Sequence, residues 1–278
     1  CPSPAPSRYL GFTVVTVPTV TLRAFRVGLP TRGMERILRG FAPDVVHAAS
    51  PFGLGARGLA AARNLGIPTV AIYQTDMPSY VAQHGGPVGP LAHRASWTWV
   101  RHLHSLADLT LAPSSAAITE LAAHGVPRVA LWGRGVDTAT YSPELRRSPQ
   151  VAQLRSRLAP NGEVIVGYVG RLAPEKELHR LAEIADLPGI SIALVGEGPS
   201  RDEIAALLPR AHFLGRQEGA TLAHSYASFD IFCHTGTKET FGQTLQEAMA
   251  SRLPVVAPAA GGPLDIVKPG VTLSLIHI

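Results

Sequence analysis

Two glutamates eight positions apart, Glu239 and Glu247, carry the clearest chemical pattern in the sequence. The apolar spacing after Gly242 predicts a helix that begins near this glycine, which puts Glu239 in the preceding loop and Glu247 on the helix, away from its packed stripe. Amides at a helix start have no partner within the helix and carry partial positive charge. Such amides suit a phosphate, and carboxylates suit sugar hydroxyls, so this stretch predicts one side of a binding crevice.

A second group of charged residues follows an apolar run that predicts a strand. Gly170 permits a close approach of the backbone, Arg171 offers a fork of donors, and Lys176 offers a point charge. A diphosphate requires this combination of compensating charge and directed donors. Both cations could instead pair with Glu175 or Glu177, and the sequence leaves that alternative open.

Short apolar runs alternate with helical patterns through both halves of the chain. This alternation predicts parallel sheets covered on both faces, and hence an α/β chain with two doubly wound, Rossmann-like domains facing across a cleft. We expect a first domain at 1–147 and a second at 148–272, with an interdomain linker within 133–150. The ligand is expected where the carboxyl ends of strands meet helix starts. Other predicted elements include a strand at 12–17, a Gly/Pro-rich loop at 75–90, and helices at 91–106 and 176–187.

Both ends of the chain look incomplete. It begins with Cys1 rather than Met, and residues 1–8 carry no periodicity. The last six residues, LSLIHI, resemble the translation of a sequencing-library adapter, so residues 273–278 are expected to be a non-native tail. We therefore expect a fragment truncated at both ends, which binds its ligand weakly and turns over little.

Composition narrows the function further. Of 278 residues, 46% are hydrophobic and 16% are charged, which is typical of a globular protein, and no apolar run is long enough to span a membrane. Two cysteines favour a reducing, cytoplasmic location over a disulfide framework, and no Cys/His spacing predicts a metal site. Residues 1–147 carry 14 Arg and Lys against 7 Asp and Glu, whereas the remainder carries 11 against 13. The excess of positive charge in the first part would favour contact with an anionic membrane or an acidic acceptor. Alternatively, it reflects only a drift in amino-acid composition.

The two chemical stretches together resemble glycosyltransferase family 4, whose members are retaining enzymes of the GT-B fold. The resemblance rests on GRLAPEK, followed some sixty residues later by ETFGQTLQEAMA, with its characteristic pair of glutamates. Further stretches resemble the bacterial GDP-mannose-dependent α-mannosyltransferases that act on glycolipids: HGVPRVALWGRGVD, YQTDMPSY, RHLHSLADLTLAPS and VVAPAAGGPLDIV. The similarity covers most of residues 9–272.

The resemblance implies a role for each matching residue. Arg171 and Lys176 bind the donor diphosphate, Glu247 accepts hydrogen bonds from the ribose hydroxyls, and Glu239 holds hydroxyls of the transferred sugar. The remaining donor contacts are expected from Gly170, Phe241, Gly242 and Thr244. The resemblance implies no metal and no cofactor beyond the donor substrate.

The loop after the strand Thr69–Tyr73 departs from the wider family. Many members have His-Thr there, whereas this chain has Gln74, then Thr75 and Asp76. The histidine of the family contacts the sugar, so the resemblance implies a sugar contact for Gln74. Gln74 cannot change its charge near neutral pH, so it is no titrating base. In a front-face reaction the departing phosphate takes the acceptor proton, and Asp76 either orients the acceptor hydroxyl or simply caps a loop or helix.

Two features leave alternatives open. The helix at 91–106 carries Trp97 and Trp99 among cations, which fits either an interfacial helix at the inner face of the plasma membrane or a partly buried helix. Arg134, at the predicted linker, reaches the acceptor or pairs with Asp137.

The sequence therefore predicts a retaining transfer of mannose from GDP-mannose to a hydroxyl of a glycolipid or glycan acceptor, with no nucleic-acid partner. Three alternatives stay open: transfer from a UDP-sugar such as UDP-glucose or a sulfosugar, a GT-B epimerase, or a silent binding domain. Loops around Gly215, Arg216 and Gln217 are expected to touch the nucleotide base.

Overall fold

The computed structural model describes residues 5–22, 25–31, 33–50, 52–84, 86, 89–268 and 274–276. The chain divides into two compact units, Cys1–Trp132 and Gly133–Ile278, each with its own sheet and core. Cys1 and part of the expected tail at 273–278 lie outside the described residues.

The first unit is built on a four-stranded parallel sheet whose strands follow one another in chain order. Helices fill the connections, as the alternating pattern predicts. The strands are β5 (Val46–Ala48), β6 (Thr69–Ile72), β7 (Leu109–Ala112) and β8 (Val129–Leu131). The helices are α1 (Met34–Phe41), α2 (Gly53–Asn64), α3 (Met77–His84), α4 (Gly89–Ser105) and α5 (Ser115–Ala123).

The single strand expected at 12–17 is wrong. Two antiparallel hairpins precede the sheet instead: β1 (Arg8–Tyr9) with β2 (Phe12–Thr13), and β3 (Thr19–Leu22) with β4 (Phe25–Gly28). Leu10 and Gly11 both have positive φ, +48° and +85°, which suits the tight turn between the first two strands.

The Gly/Pro-rich stretch expected as a loop contains helix α3. Asp76 makes this possible, because its Oδ1 accepts a hydrogen bond from the amide of Ser79 at 3.0 Å, as a helix cap does. Pro78 lies in the first turn of this helix, where a proline costs no hydrogen bond.

Helix α4 turns its tryptophans inwards. Trp97 is 6% exposed and its ring stacks on His124, with centroids 3.6 Å apart and planes at 6°. Trp99 is half-buried and packs against a second apolar cluster of the unit. Since an interfacial helix would direct these rings at lipid, the interfacial interpretation of this helix is wrong and the partly buried one is confirmed.

The second unit is a six-stranded, all-parallel sheet in the order β11-β10-β9-β12-β13-β14. The order reverses between β9 and β12, which is the doubly wound arrangement, and ligands bind at the carboxyl ends beside such a reversal. The strands are β9 (Val164–Val169), β10 (Ile190–Val195), β11 (His212–Phe213), β12 (Ile231–Cys233), β13 (Val255–Pro258) and β14 (Ser274–Ile276). The helices are α6 (Pro149–Leu158), α7 (Ala182–Ala185), α8 (Arg201–Leu207), α9 (Gly219–Ser228), α10 (Gln243–Ala250) and α11 (Pro263–Ile266).

Alternate side chains of the strands pack into two apolar cores. On β9, Ile165 and Val169 enter one cluster, and Tyr168 enters the other. At the far edge, Ser274–Ile276 pairs with Val256–Pro258, so part of the expected tail forms a strand of the sheet.

The helix expected at 176–187 is wrong as a continuous element. The segment forms two 3₁₀ turns, Pro174–Lys176 and Leu178–Leu181, before the short helix α7. The break occurs at Glu177, whose φ is +51° and whose carboxylate accepts hydrogen bonds from the Thr237 hydroxyl and from Arg180. Lys176 therefore ends a turn and does not begin a helix.

The segment expected as a linker packs on the second unit, and the units divide between Trp132 and Gly133 where the sequence predicts 147/148. Arg146 and Arg155 both bind the carboxylate of Asp230, at the start of β12. The same carboxylate accepts a hydrogen bond from the amide of Ile165 at 2.9 Å. This cluster ties residues after the division to the central strands.

We expect Asp230→Asn to lower the free energy of unfolding by about 2 kcal/mol at pH 7, the scale of hydrogen bonds to a charged group. Burial alone would raise the pKa of Asp230, but the Ile165 amide and the two arginines outweigh burial, so the pKa is lowered. A lowered pKa contributes stability above the unfolded value and loses it as pH falls through the folded value.

The deficit of the variant should therefore shrink in acid, as followed by urea unfolding across a pH series. Asp202→Asn is the matched control, because that side chain is 98% exposed beside Arg201. An equal deficit at every pH would contradict the assigned electrostatic role.

Candidate functional site

The predicted site residues of the second unit gather at the carboxyl end of its sheet. Gly170 and Arg171 follow β9, and Glu239 lies in the loop between β12 and α10. Helix α10 begins at Gln243 with Gly242 before it, as predicted, and carries Glu247. These elements flank the reversal of strand order, where the fold places ligands.

Lys176 and Glu239 meet at the centre of this group. The Lys176 Nζ atom lies 2.9 Å from Glu239 Oε2, and the two side chains are 24% and 19% exposed. The sequence left Lys176 free to pair with its neighbours, but the structure pairs it with a residue 63 positions away. Burial alone would raise the pKa of Glu239, but the charge and hydrogen bond of Lys176 outweigh burial and lower it. Glu239 is therefore a carboxylate at neutral pH.

The second oxygen of Glu239 caps the loop before α10. Oε1 accepts hydrogen bonds from the amides of Phe241 and Gly242 at 3.3 and 3.2 Å. The Gly242 amide, which the sequence places at a helix start suited to a phosphate, donates to the Glu239 carboxylate in this structure, and its role towards a donor stays a prediction. Thr244 lies half-buried in the first turn of the helix.

A tight turn at Gly261 and Gly262 supports the Glu239 loop. The Gly262 amide donates to the backbone oxygen of Glu239 at 2.7 Å. Gly261 has φ +62°, and a Cβ there would lie 2.4 Å from the same oxygen. Glycine is required at position 261 because any side chain would displace the Glu239 backbone.

Glu247 is held by residues that the sequence analysis did not single out. Its Oε2 accepts a hydrogen bond from the Tyr226 hydroxyl at 2.8 Å. Burial raises the pKa of Glu247, and hydrogen bonds from Tyr226, Gln243 and Tyr141 oppose the rise without cancelling it. Tyr226 lies on α9, and no motif marks it. Only its place in a predicted helix near the site could have suggested it.

We expect Tyr226→Phe to raise the pKa of Glu247 further, because a half-buried carboxylate loses a donor that favours its charged form. An NMR titration of the side-chain carboxyl carbon measures this shift. Tyr9→Phe, at an exposed position, is the matched control. A lower or unchanged pKa of Glu247 in the variant would contradict the assigned bond.

Arg171 projects into a pocket of about 390 Å³ beside this group. Its Nη1 lies 3.8 Å from Glu175 Oε1, and the side chain is 43% exposed, so this ion pair leaves the guanidinium accessible. Arg216 and Gln217 line the same pocket. Gly196 also lines this pocket, and a side chain is excluded there because a Cβ would lie 1.9 Å from the Gly170 oxygen.

Arg134 lies over the ring of Phe241, with its Cζ 4.9 Å from the ring centroid. Asp137, its other predicted partner, accepts hydrogen bonds from Ala139 and Thr140. The cation–π contact links the segment after the unit division to the Glu239 loop.

Gln74 and Asp76 belong to the first unit. The Gln74 Nε2 donates to the backbone oxygen of Ala49 at 3.0 Å, and Asp76 caps α3. Asp76 also lies 3.4 Å from the Tyr73 hydroxyl. The capping alternative for Asp76 is thus what the structure shows, and its role towards an acceptor stays a prediction.

In the part of the chain that the structure describes, no three His, Cys, Asp or Glu side chains group closely enough to hold a metal ion. No helix within those residues is both long and apolar enough to cross a membrane.

Comparison with protein families decides the assignment. The family model described as Glycosyltransferase Family 4 matches residues 1–140, half of the chain, and the model described as Glycosyl transferases group 1 matches residues 151–277. This chain belongs to glycosyltransferase family 4. The predicted family is therefore confirmed.

Curated relatives of this family 4 chain include two GDP-mannose-dependent alpha-mannosyltransferases. The protein from Mycobacterium tuberculosis is 50% identical over 252 residues, and that from Mycolicibacterium smegmatis is 51% identical over 252 residues. Each alignment covers 91% of this chain but 65% of the relative, so the chain spans about two thirds of the length of the relatives that it matches.

A solved structure of similar fold is that of Anabaena Alr3699/HepE in complex with UDP and glucose. It superimposes with a TM-score of 0.74 at 23% identity, and covers 96% of this chain and 73% of that one. The predicted α/β class with two Rossmann-like units of the GT-B type is confirmed for this family 4 chain.

Proposed function

We propose that this protein is a retaining glycosyltransferase that moves mannose from GDP-mannose to a hydroxyl of a glycolipid or glycan acceptor. The observation that carries the proposal is the Lys176–Glu239 pair at the strand-order reversal, with Arg171 open to a neighbouring pocket. The donor is inferred from the two mycobacterial relatives, which are named for GDP-mannose.

Each site residue has a distinct role in the proposed reaction. Arg171 and Lys176 bind the diphosphate and stabilise the charge that develops on it as the bond to the sugar breaks. Glu239 is a carboxylate at neutral pH and accepts hydrogen bonds from the sugar hydroxyls, while Glu247 accepts them from the ribose. Gly170, Phe241, Gly242 and Thr244 line the donor.

No side chain need act as a base in this scheme. The departing phosphate oxygen lies on the face that the acceptor approaches, and it takes the acceptor proton. Gln74, which cannot titrate near neutral pH, contributes hydrogen bonds to the sugar. The protein therefore accelerates the reaction by positioning the reactants and by electrostatic stabilisation.

A UDP-sugar is the second candidate donor. The HepE structure was determined with UDP and glucose, on the same fold. Arg216 and Gln217 line the pocket beside Arg171. In this proposal they contact the base and so decide between the nucleotides.

Calorimetric titration with GDP, UDP and ADP tests the proposal. We expect GDP to bind most tightly, and Lys176→Gln to weaken GDP binding because the diphosphate loses a cation. Lys238→Gln is the matched control, an exposed lysine beside Glu239. Tighter binding of UDP would favour the second donor, and no nucleotide binding would contradict the donor site itself.

We also propose that the reaction needs no metal ion, because Arg171 and Lys176 supply the positive charge that a metal would bring to the diphosphate. Turnover of GDP-mannose should therefore be the same with and without EDTA. Loss of turnover in EDTA, restored by added Mg²⁺ or Mn²⁺, would contradict this prediction.

For the acceptor and location we propose a glycolipid presented at the cytoplasmic face of the membrane. The support is the excess of 14 Arg and Lys over 7 Asp and Glu in residues 1–147, which favours anionic surfaces. Trp97 of helix α4 is buried and does not serve as an aromatic anchor for such a contact.

A further inference from the structure

His234 is a buried side chain at the site to which no role has been given. It follows β12 directly, so it lies at the carboxyl end of the sheet beside the reversal of strand order. The residue is 3% exposed. Neither ring nitrogen makes a hydrogen bond to any residue within the described part of the chain, although the Gly236 carbonyl lies near enough to affect the ring. A buried polar group without a partner is costly and calls for an explanation.

Glu239 is a charged group close to the imidazole. His234 Nε2 lies 3.9 Å from Glu239 Oε2, which is about 1 Å beyond hydrogen-bond distance. That oxygen already accepts a hydrogen bond from the Lys176 ammonium at 2.9 Å. Oε1 accepts hydrogen bonds from the Phe241 and Gly242 amides. The imidazole is therefore next to an oxygen whose present donor is Lys176.

The imidazole is neutral at pH 7. Burial lowers the pKa of His234, and Lys176 adds to that effect, while Glu239 and Glu177 oppose it. A neutral imidazole keeps one N–H, which is enough to donate to one carboxylate oxygen.

Lys176, the present donor to Glu239 Oε2, has to move when a diphosphate binds to it. Its backbone oxygen accepts a hydrogen bond from the Thr235 hydroxyl, which fixes the main chain and leaves the side chain to move. A lysine drawn to a diphosphate would leave Glu239 Oε2, a mostly buried anionic oxygen, without its donor. Such a loss costs free energy unless another donor replaces Lys176.

We propose that His234 is a positioning residue. When a nucleoside diphosphate draws Lys176 away, His234 donates a hydrogen bond to Glu239 Oε2 in place of the lysine. The inference rests on the proposed function, because it assumes that Lys176 binds the donor diphosphate. In this arrangement Nε2–H donates to Oε2 after a shift of about 1 Å, while the two backbone amides keep Oε1 in place. Glu239 thus stays oriented towards the sugar throughout donor binding.

The test compares GDP with guanosine in calorimetric titrations of the parent chain, His234→Leu and His234→Gln. Guanosine has no phosphate and leaves Lys176 on Glu239. We expect His234→Leu to weaken GDP binding about tenfold and to leave guanosine binding unchanged, because only GDP requires a replacement donor. His234→Gln should restore most of the GDP affinity, since its amide N–H can reach the same oxygen.

Other outcomes are equally informative. Equal weakening of GDP and guanosine would indicate a structural role and overturn the inference, as would unchanged GDP binding in His234→Leu. Failure of the parent to bind GDP would overturn the proposed donor first and the inference with it. A measurement on the parent alone covers the case of a misfolded variant: the His234 ring nitrogens should shift in ¹⁵N NMR with GDP and not with guanosine. An identical spectrum with both would overturn the inference.

Discussion

Replacing Arg171 by alanine should lower the turnover of GDP-mannose by about 100-fold or more, the effect of losing one preorganised donor to a developing charge. Charge accumulates on the diphosphate as the bond to the sugar breaks, and a fork of donors aimed at it acts mainly in the transition state. Turnover is followed as GDP release with a glycolipid acceptor.

The same substitution should leave stability nearly unchanged. Arg171 is 43% exposed and lies 3.8 Å from Glu175, and an exposed pair of this kind contributes at most about 1 kcal/mol. Lys176→Ala should differ on this point, because it leaves Glu239 buried without its cation. The two variants should therefore lose similar turnover, while only Lys176→Ala also lowers the melting temperature.

Arg210→Ala is the matched control for both. Arg210 is exposed and pairs with Asp186. Near-normal turnover in Arg171→Ala would contradict the role of this arginine, and an equal loss in Arg210→Ala would show that removal of any surface cation has the same effect.

The sequence predicted the site residues but not their partners. Alternating apolar runs and the motif spacings placed Arg171, Glu239 and Glu247 at strand ends and a helix start, since those depend on local pattern. The Lys176–Glu239 pair joins residues 63 positions apart, and nothing local distinguishes Glu239 from Glu175 as the partner of Lys176. Only the order of strands in the sheet decides this.

The errors have a similar cause. A helix expected at 176–187 is broken at Glu177, because hydrogen bonds from Thr237 and Arg180 hold that residue at positive φ. Thr237 lies in another loop, so the local sequence around Glu177 does not indicate that the helix is broken there. Tyr226 and His234 were missed because neither belongs to a local motif, and each becomes relevant only through a carboxylate from elsewhere in the chain.

Glu239→Gln and Glu247→Gln should separate the two acidic roles. Glu239→Gln should lower kcat by about 10-fold or more, because contacts to the sugar hydroxyls strengthen as the ring changes shape in the transition state. GDP binding should stay the same or tighten in this variant, since Lys176 no longer has an anionic partner and is free for the diphosphate. Steady-state kinetics and calorimetry measure the two quantities.

Glu247→Gln should instead raise the KM for GDP-mannose about 10-fold with little change in kcat, as expected for a contact made equally in the ground and transition states. The pKa of Glu247 is raised by burial. The ionised form is the stronger acceptor of hydrogen bonds from the ribose hydroxyls. Donor affinity of the parent should therefore fall as pH drops through this raised value, earlier than for an ordinary glutamate, and Glu247→Gln should lose that dependence.

Glu203→Gln, on the exposed face of α8, is the matched control for both substitutions and should change neither constant. The opposite pattern, with kcat reduced by Glu247→Gln and KM raised by Glu239→Gln, would mean that the two carboxylates have exchanged roles. That result would leave the donor site in place but reverse the donor's orientation within it, with the sugar at Tyr226 and the ribose at Lys176. The pH dependence of KM distinguishes the two orientations. It should be lost only when the carboxylate that contacts the ribose is the one substituted.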